Sequence, residues 1–101
     1  MIKQVRLHQE ALAELEAEAL FFEMKSKGLG ERFASEVEAA IKIAAEFPEM
    51  GSPFKLGTRR VFPKKFPFSI VYRIRAYEVV VLAVVADARK PGYWRNRRVD
   101  D

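Results

Sequence analysis

Cysteine is absent from the chain. That excludes disulfides and thiolate metal sites. Histidine occurs once, as His8. No metal-ligand cluster, no Ser/His/Asp set and no phosphate-cradling glycine loop stands in the sequence, and no cofactor is expected. The longest apolar run, Val79 to Ala86, falls far short of the ~20 residues that a membrane-spanning helix needs. The N-terminal Met1-Ile2-Lys3-Gln4-Val5-Arg6 lacks the apolar core of a signal peptide, so a cytoplasmic protein is expected. Repeats, low-complexity tracts and linkers are also missing, so residues 1–101 are read as one domain.

What is present is a balanced composition, 50% apolar and 32% charged. That supports a packed core and argues against disorder. A domain this small buries only ~60–70% of its unfolded surface, so a bound partner should add to its stability. Charge is divided unevenly. Residues 1–50 hold six Lys/Arg and ten Asp/Glu, a net of −4, whereas residues 51–101 hold twelve and four, a net of +8. Such asymmetry points the second half at something anionic, either nucleic acid or an acidic protein segment. The bland alternative is a solvated basic surface.

The periodicities predict a strand, two helices and then three strands. Val5 and Leu7 fit a short strand within Ile2–Leu7. Leu12, Leu15, Ala19 and Phe22 recur at helical spacing in residues 9–27, with Ala13, Leu20 and Met24 widening the stripe. The glutamates of that helix are read as its wet face, and His8 as a surface residue at its start. Gly28 ends it. A second helix is expected to about residue 46, burying Phe33, Val37, Ile41 and Ala44, with Pro48 as its stop. The two should form an antiparallel hairpin. From Gly51 the texture changes to loop residues. Thr58–Phe62, then 66–75, then 78–86 read as strands, the last covered on both faces and away from the sheet edge. Phe62, Phe66 and Phe68 are assigned to the core. The fold class is α+β: a two-helix antiparallel hairpin packed on one face of a small, mainly antiparallel sheet, in the order β-α-α-β-β-β.

Five stretches, in this order and spacing, carry a family resemblance. They are Glu14-Leu15 with Phe21-Phe22; Gly28-Leu29-Gly30-Glu31-Arg32-Phe33; Phe47-Pro48 with Gly51; Arg59-Arg60 with Phe66 to Arg73; and Ala88-Arg89-Lys90-Pro91-Gly92-Tyr93-Trp94. From about Ile2 to Arg97 the chain resembles the RelE/ParE superfamily of toxins from type II toxin–antitoxin systems. The resemblance implies a growth-inhibiting toxin neutralised by a cognate acidic antitoxin, as a toxin–antitoxin hetero-oligomer or with a homo-oligomer of its own. ParE-like members inhibit DNA gyrase without being enzymes. RelE-like members are endoribonucleases that cleave mRNA on the ribosome.

Metal-free RNA cleavage needs a base, an acid and cations for the developing phosphorane charge. Arg59, Lys64, Lys65, Arg73, Arg89 and Tyr93 match those roles loosely, with Lys65, Arg73, Arg89 and Tyr93 as the catalytic candidates. Where many relatives carry a histidine before the arginine-rich turn, this chain has Asp87, which would repel a phosphate backbone. The long first helix and the Pro91-Gly92-Tyr93-Trp94 ending favour the ParE-like, plasmid-stabilisation branch. The surface expected to contact antitoxin or target comprises Arg59, Arg60, Arg73, Arg89, Tyr93 and Trp94. Arg95, Arg97 and Arg98 are read as a solvated tail, or alternatively as a contact with an acidic antitoxin or nucleic acid. A plain basic nucleic-acid-binding module remains the third reading.

Overall fold

The structure is a computed structural model, and it describes residues 2–97. Strand β1 (Gln4–Leu7) leads into helix α1 (Gln9–Lys25) and helix α2 (Leu29–Glu46). Then follow β2 (Ser52–Pro53), β3 (Arg59–Val61), β4 (Phe68–Ile74) and β5 (Glu78–Ala86). Short 3-10 turns occupy Pro48–Met50, Lys55–Gly57 and Tyr93–Asn96. The five strands form one mixed sheet in the order β1-β5-β4-β3-β2. Only the β1–β5 pair is parallel. The helix hairpin, the three predicted strands and the interior position of β5 therefore stand. The two-residue β2 was not expected, because Ser52-Pro53 reads as loop and proline can supply only an edge.

Local chemistry sets the helix ends. His8 is the N-cap of α1, its ring nitrogen Nδ1 accepting from the Glu10 N–H at 3.1 Å. At the other end, the Glu23 carboxylate accepts from the N–H groups of Gly28 (2.9 Å) and Gly30 (3.0 Å). It so satisfies donors at the start of α2, and these backbone bonds hold its pKa below the ordinary carboxylate value. Gly28 makes the turn with φ of 86°, where a side chain would be strained.

The sheet has a core on each face. On the helix face, Phe33, Val37, Ile41 and Ala44 meet Phe68, Ile70, Tyr72, Val79, Val81 and Val84, with Leu15, Ala19 and Phe22 of α1 packed against them. On the other face, Val71, Val80, Leu82, Ala83 and Val85 lie beneath Trp94, flanked by Phe54 and Tyr93. That second layer supplies the two-sided cover that β5's valine run demands. The core assignments of Phe62 and of part of the α1 stripe are corrected. Phe62 is 49% exposed and lies under the Arg60 guanidinium. Leu12, Leu20 and Met24 are exposed as well. Apolar residues stand almost all round α1, so periodicity could not tell which of them the sheet would cover.

One irregularity shapes the site. The β4–β5 register runs Val71↔Ala83 and then Tyr72↔Val81, leaving Leu82 unpaired as a bulge. Leu82 and Ala83 consequently join the same face of the sheet, and Val84 returns to the helix face. Among the described residues, no helix is long and apolar enough to cross a membrane, and no group of three metal-ligating side chains occurs.

Candidate functional site

Strand β1 ends at Leu7, opposite Val81. The His8 N–H still reaches the Val81 carbonyl at 2.9 Å, but the chain then turns into α1 and leaves the flank of β5 without a strand. Two side chains take over. The Glu14 carboxylate accepts the Val84 N–H at 3.0 Å, and Arg97 donates to the Leu82 carbonyl at 2.7 Å. Arg97 also grips both Glu14 oxygens at 2.9 Å, a bidentate pair. The Tyr93 hydroxyl donates to the same carboxylate at 2.7 Å. Glu14 thus ties α1, β5 and the C-terminal segment together.

The electrostatics follow from this knot. Burial raises the Glu14 pKa, but the bonds from Arg97, Tyr93 and the Val84 N–H outweigh it, and the carboxyl is held below its usual range. The Tyr93 phenol is pushed far up, first by burial and then by the Glu14 carboxylate it serves. The Glu14 hydrogen bond, against the cost of burial, also keeps Arg97 more firmly protonated than usual. Glu14 is not a wet-face residue and Arg97 is not a solvated tail; both readings are corrected. Arg98 lies outside the described residues.

A raised folded-state pKa implies a stability contribution that is complete below the unfolded tyrosine value of 10.0 and is lost as pH rises towards the folded one. Stability should therefore decline above about pH 10, by up to about 1.4 kcal/mol per pH unit for one proton. Urea unfolding between pH 8.5 and 11 should show that Tyr93→Phe flattens this alkaline limb. Parallel limbs in both proteins would contradict the assignment.

On the sheet face opposite the helices, arginines and aromatics interleave. Arg60 lies over the Phe54 ring at 4.1 Å, and Phe54 stacks on Trp94 with centroids 5.6 Å apart. Trp94 meets Tyr93 edge-on at 5.5 Å, and Arg89 sits over Tyr93 at 3.7 Å. Stacking and cation–π attraction fix the planes of both guanidinium groups. Beside this row lies a shallow cleft lined by Phe54, Arg60, Ser69, Val85, Ala86, Asp87, Arg89, Pro91 and Trp94. Asp87 accepts the Ser69 hydroxyl at 2.8 Å, while Arg89 faces the Tyr93 ring. The Asp87–Arg89 pairing that their spacing allows is not formed.

Arg60, Arg89 and Tyr93 are thus brought together as one surface over Trp94, which was expected at the contact but is buried, 1% exposed. Arg59 and Lys65 lie outside it, whereas Arg73 shares its sheet face, paired with Val80 farther along β4. Arg59 donates to the carbonyls of Glu49 (3.1 Å) and Gly51 (2.8 Å), and Arg73 donates to that of Leu56 (2.8 Å). Lys65 stands exposed in the loop before β4, with a left-handed backbone (φ 68°). Sequence reasoning puts Glu14 on the wet face, leaves Arg97 between a solvated tail and a partner contact, and gives Phe54 no role. Glu14 and Arg97 stand 83 residues apart, and no local pattern distinguishes either from its charged neighbours.

A family model described as the ParE toxin of the type II toxin–antitoxin system parDE matches residues 5–91. Among solved structures, the chain is similar to one titled "Chromosomal ParDE TA system from P. aeruginosa", with a TM-score of 0.70 at 18% identity, covering 84% of this chain and 96% of that one. No curated protein matches significantly.

Proposed function

The chain belongs to the ParE toxin family of type II toxin–antitoxin systems, and from that premise we propose that it arrests bacterial growth by inhibiting DNA gyrase, without catalysis of its own. A cognate antitoxin would neutralise it by covering the surface of Arg60, Arg89 and Tyr93, with Trp94 buried beneath. Both encounters would take place in the cytoplasm. The observation that carries the non-catalytic reading is the state of Tyr93. Its hydroxyl is committed to Glu14 and its pKa is raised. A phenol so held is a poor proton donor for a leaving oxygen, since a useful acid has a pKa near the working pH. Asp87, at the same surface, adds negative charge where a scissile phosphate would need cations.

The basic surface suits an acidic antitoxin segment. Charge complementarity would speed association and weaken with salt. Arg89 is the side chain proposed to matter most for toxicity. It is exposed and presented on the Tyr93 ring, and it can grip a carboxylate or phosphate with two bonds.

The test is induction of the chain in bacteria. Plasmid DNA should lose negative supercoiling while mRNA on ribosomes stays intact. Arg89→Ala, at matched protein level and with unchanged circular dichroism, should relieve the arrest. Ribosomal cleavage of mRNA that Tyr93→Phe or Lys65→Ala abolishes would overturn the proposal in favour of the endoribonuclease.

A further inference from the structure

We infer that the cleft between Arg60, Arg89 and Trp94 is a subsite for one carboxylate side chain of a peptide partner. The inference rests on reading the chain as a toxin neutralised by an acidic protein segment. Two donors in this cleft's wall are buried and have no partner among the described residues, namely Arg60 Nε and Trp94 Nε1. Native proteins satisfy nearly all such groups, but these two nitrogens are closed to solvent, so the donors that a ligand meets in the cleft are the outer guanidinium nitrogens of half-buried Arg60 and exposed Arg89. Trp94 is 1% exposed and stacks on Phe54, which holds the floor of the cleft in place. Arg60 is likewise fixed by Phe54, so its guanidinium is preorganised, which lowers the entropy lost on binding.

The local charge selects the ligand. Two arginines and Asp87 line the cleft, leaving a net charge of +1, which one carboxylate neutralises. Asp87 is occupied by the Ser69 hydroxyl and blocks a second anion. Phe54, Val85 and Pro91 give the cleft apolar walls, suited to the methylene stem of a glutamate or aspartate. A nucleic-acid phosphate is flanked by sugars on both sides and comes in an evenly spaced row of charges, which a single half-apolar recess with its own carboxylate does not match.

Trp94 is the chain's only tryptophan, so its fluorescence reports on the cleft directly. The full chain should be titrated with a blocked hexapeptide carrying two glutamates among alanines, with its glutamine counterpart, and with oligothymidylate. The glutamate peptide should shift the Trp94 emission saturably. The glutamine peptide should bind about tenfold more weakly, the loss expected for one charge-assisted contact. Arg60→Gln should lose a similar factor for the glutamate peptide. If Arg60→Gln does not fold, Arg89→Gln, at an exposed position, should show the loss instead. No response up to millimolar peptide, equal binding of the two peptides, or tighter binding of oligothymidylate would overturn the subsite. Growth arrest is measured without any acidic partner, so failure here and failure of the gyrase reading are seen separately.

Discussion

Glu14→Ala is expected to destabilise the protein by about 3 kcal/mol, the scale for breaking a buried ion pair from one side. Glu14 and Arg97 keep only 17% and 10% of their side-chain surface exposed. Without the carboxylate, the Arg97 guanidinium loses its bidentate partner, the Tyr93 hydroxyl loses its acceptor, and the Val84 N–H is orphaned beside the bulge. Each loss is costly because the groups cannot turn to bulk water. Glu16→Ala, on the exposed side of the same helix, should change stability by less than about 0.5 kcal/mol. Urea unfolding followed by circular dichroism compares the two. Equal effects would remove Glu14 from its assigned place. The sign with pH is also set. A depressed folded-state pKa adds stability above the unfolded value near 4.5 that is lost as pH falls through the folded one. Glu14→Gln should therefore unfold with a shallower acid limb than the wild type.

Gly30→Ala is expected to cost about 3 kcal/mol or more, at the upper end for overpacking. On helix propensity alone, alanine at this position would gain up to about 1 kcal/mol. Tertiary contact reverses the sign. A Cβ at Gly30 would lie 2.1 Å from the Ala19 carbonyl oxygen and 2.9 Å from the Glu23 Cβ. Backbone cannot swing aside as a flexible side chain can, so α1 would have to lift from α2. That would open the contact between Phe22 and the fully buried Phe33, whose rings are 5.0 Å apart. Gly28→Ala is the comparison. It meets nothing within 4 Å but keeps a φ of 86°, a strain of about 1–2 kcal/mol for a non-glycine residue. Thermal unfolding should rank Gly30→Ala below Gly28→Ala; the opposite order would show that the helices do not approach as closely as the structure has them.

Gly30 also shows where sequence reading stops. Its neighbours mark a helix start, and nothing local says that another backbone lies against it. Gly51 is similar: its neighbours mark a loop, yet a Cβ there would meet the Tyr72 hydroxyl, which donates to the Pro48 carbonyl. Phe62 and Phe66 were indistinguishable as aromatic residues beside a strand. The structure packs Phe66 against Phe22 and Phe33 and leaves Phe62 half exposed beside Arg60, away from the helix-face core that Val61 joins.

The sequence by itself determined the α+β order, the helix hairpin, the interior place of β5 and the basic charge of the second half. Those properties follow from short-range periodicity, from glycine and proline at chain turns, and from charge, all of which act between near neighbours or sum over whole segments. Even the end of β5 at Ala86 follows from its apolar run, which starts one residue after the strand's first, Glu78. Only the tertiary structure decided which charged residues were structural and which were free to meet a partner. Glu14 and Glu16 are alike in chemistry and differ in place. One faces the flank of β5 that β1 leaves uncovered, and the other faces water. Arg59 and Arg60 are adjacent, but strand alternation sends the first to carbonyls at Glu49 and Gly51 and the second to the opposite face, onto Phe54. The role of an ion is set by what desolvates it and what pairs with it, and both are supplied here by residues distant in the chain.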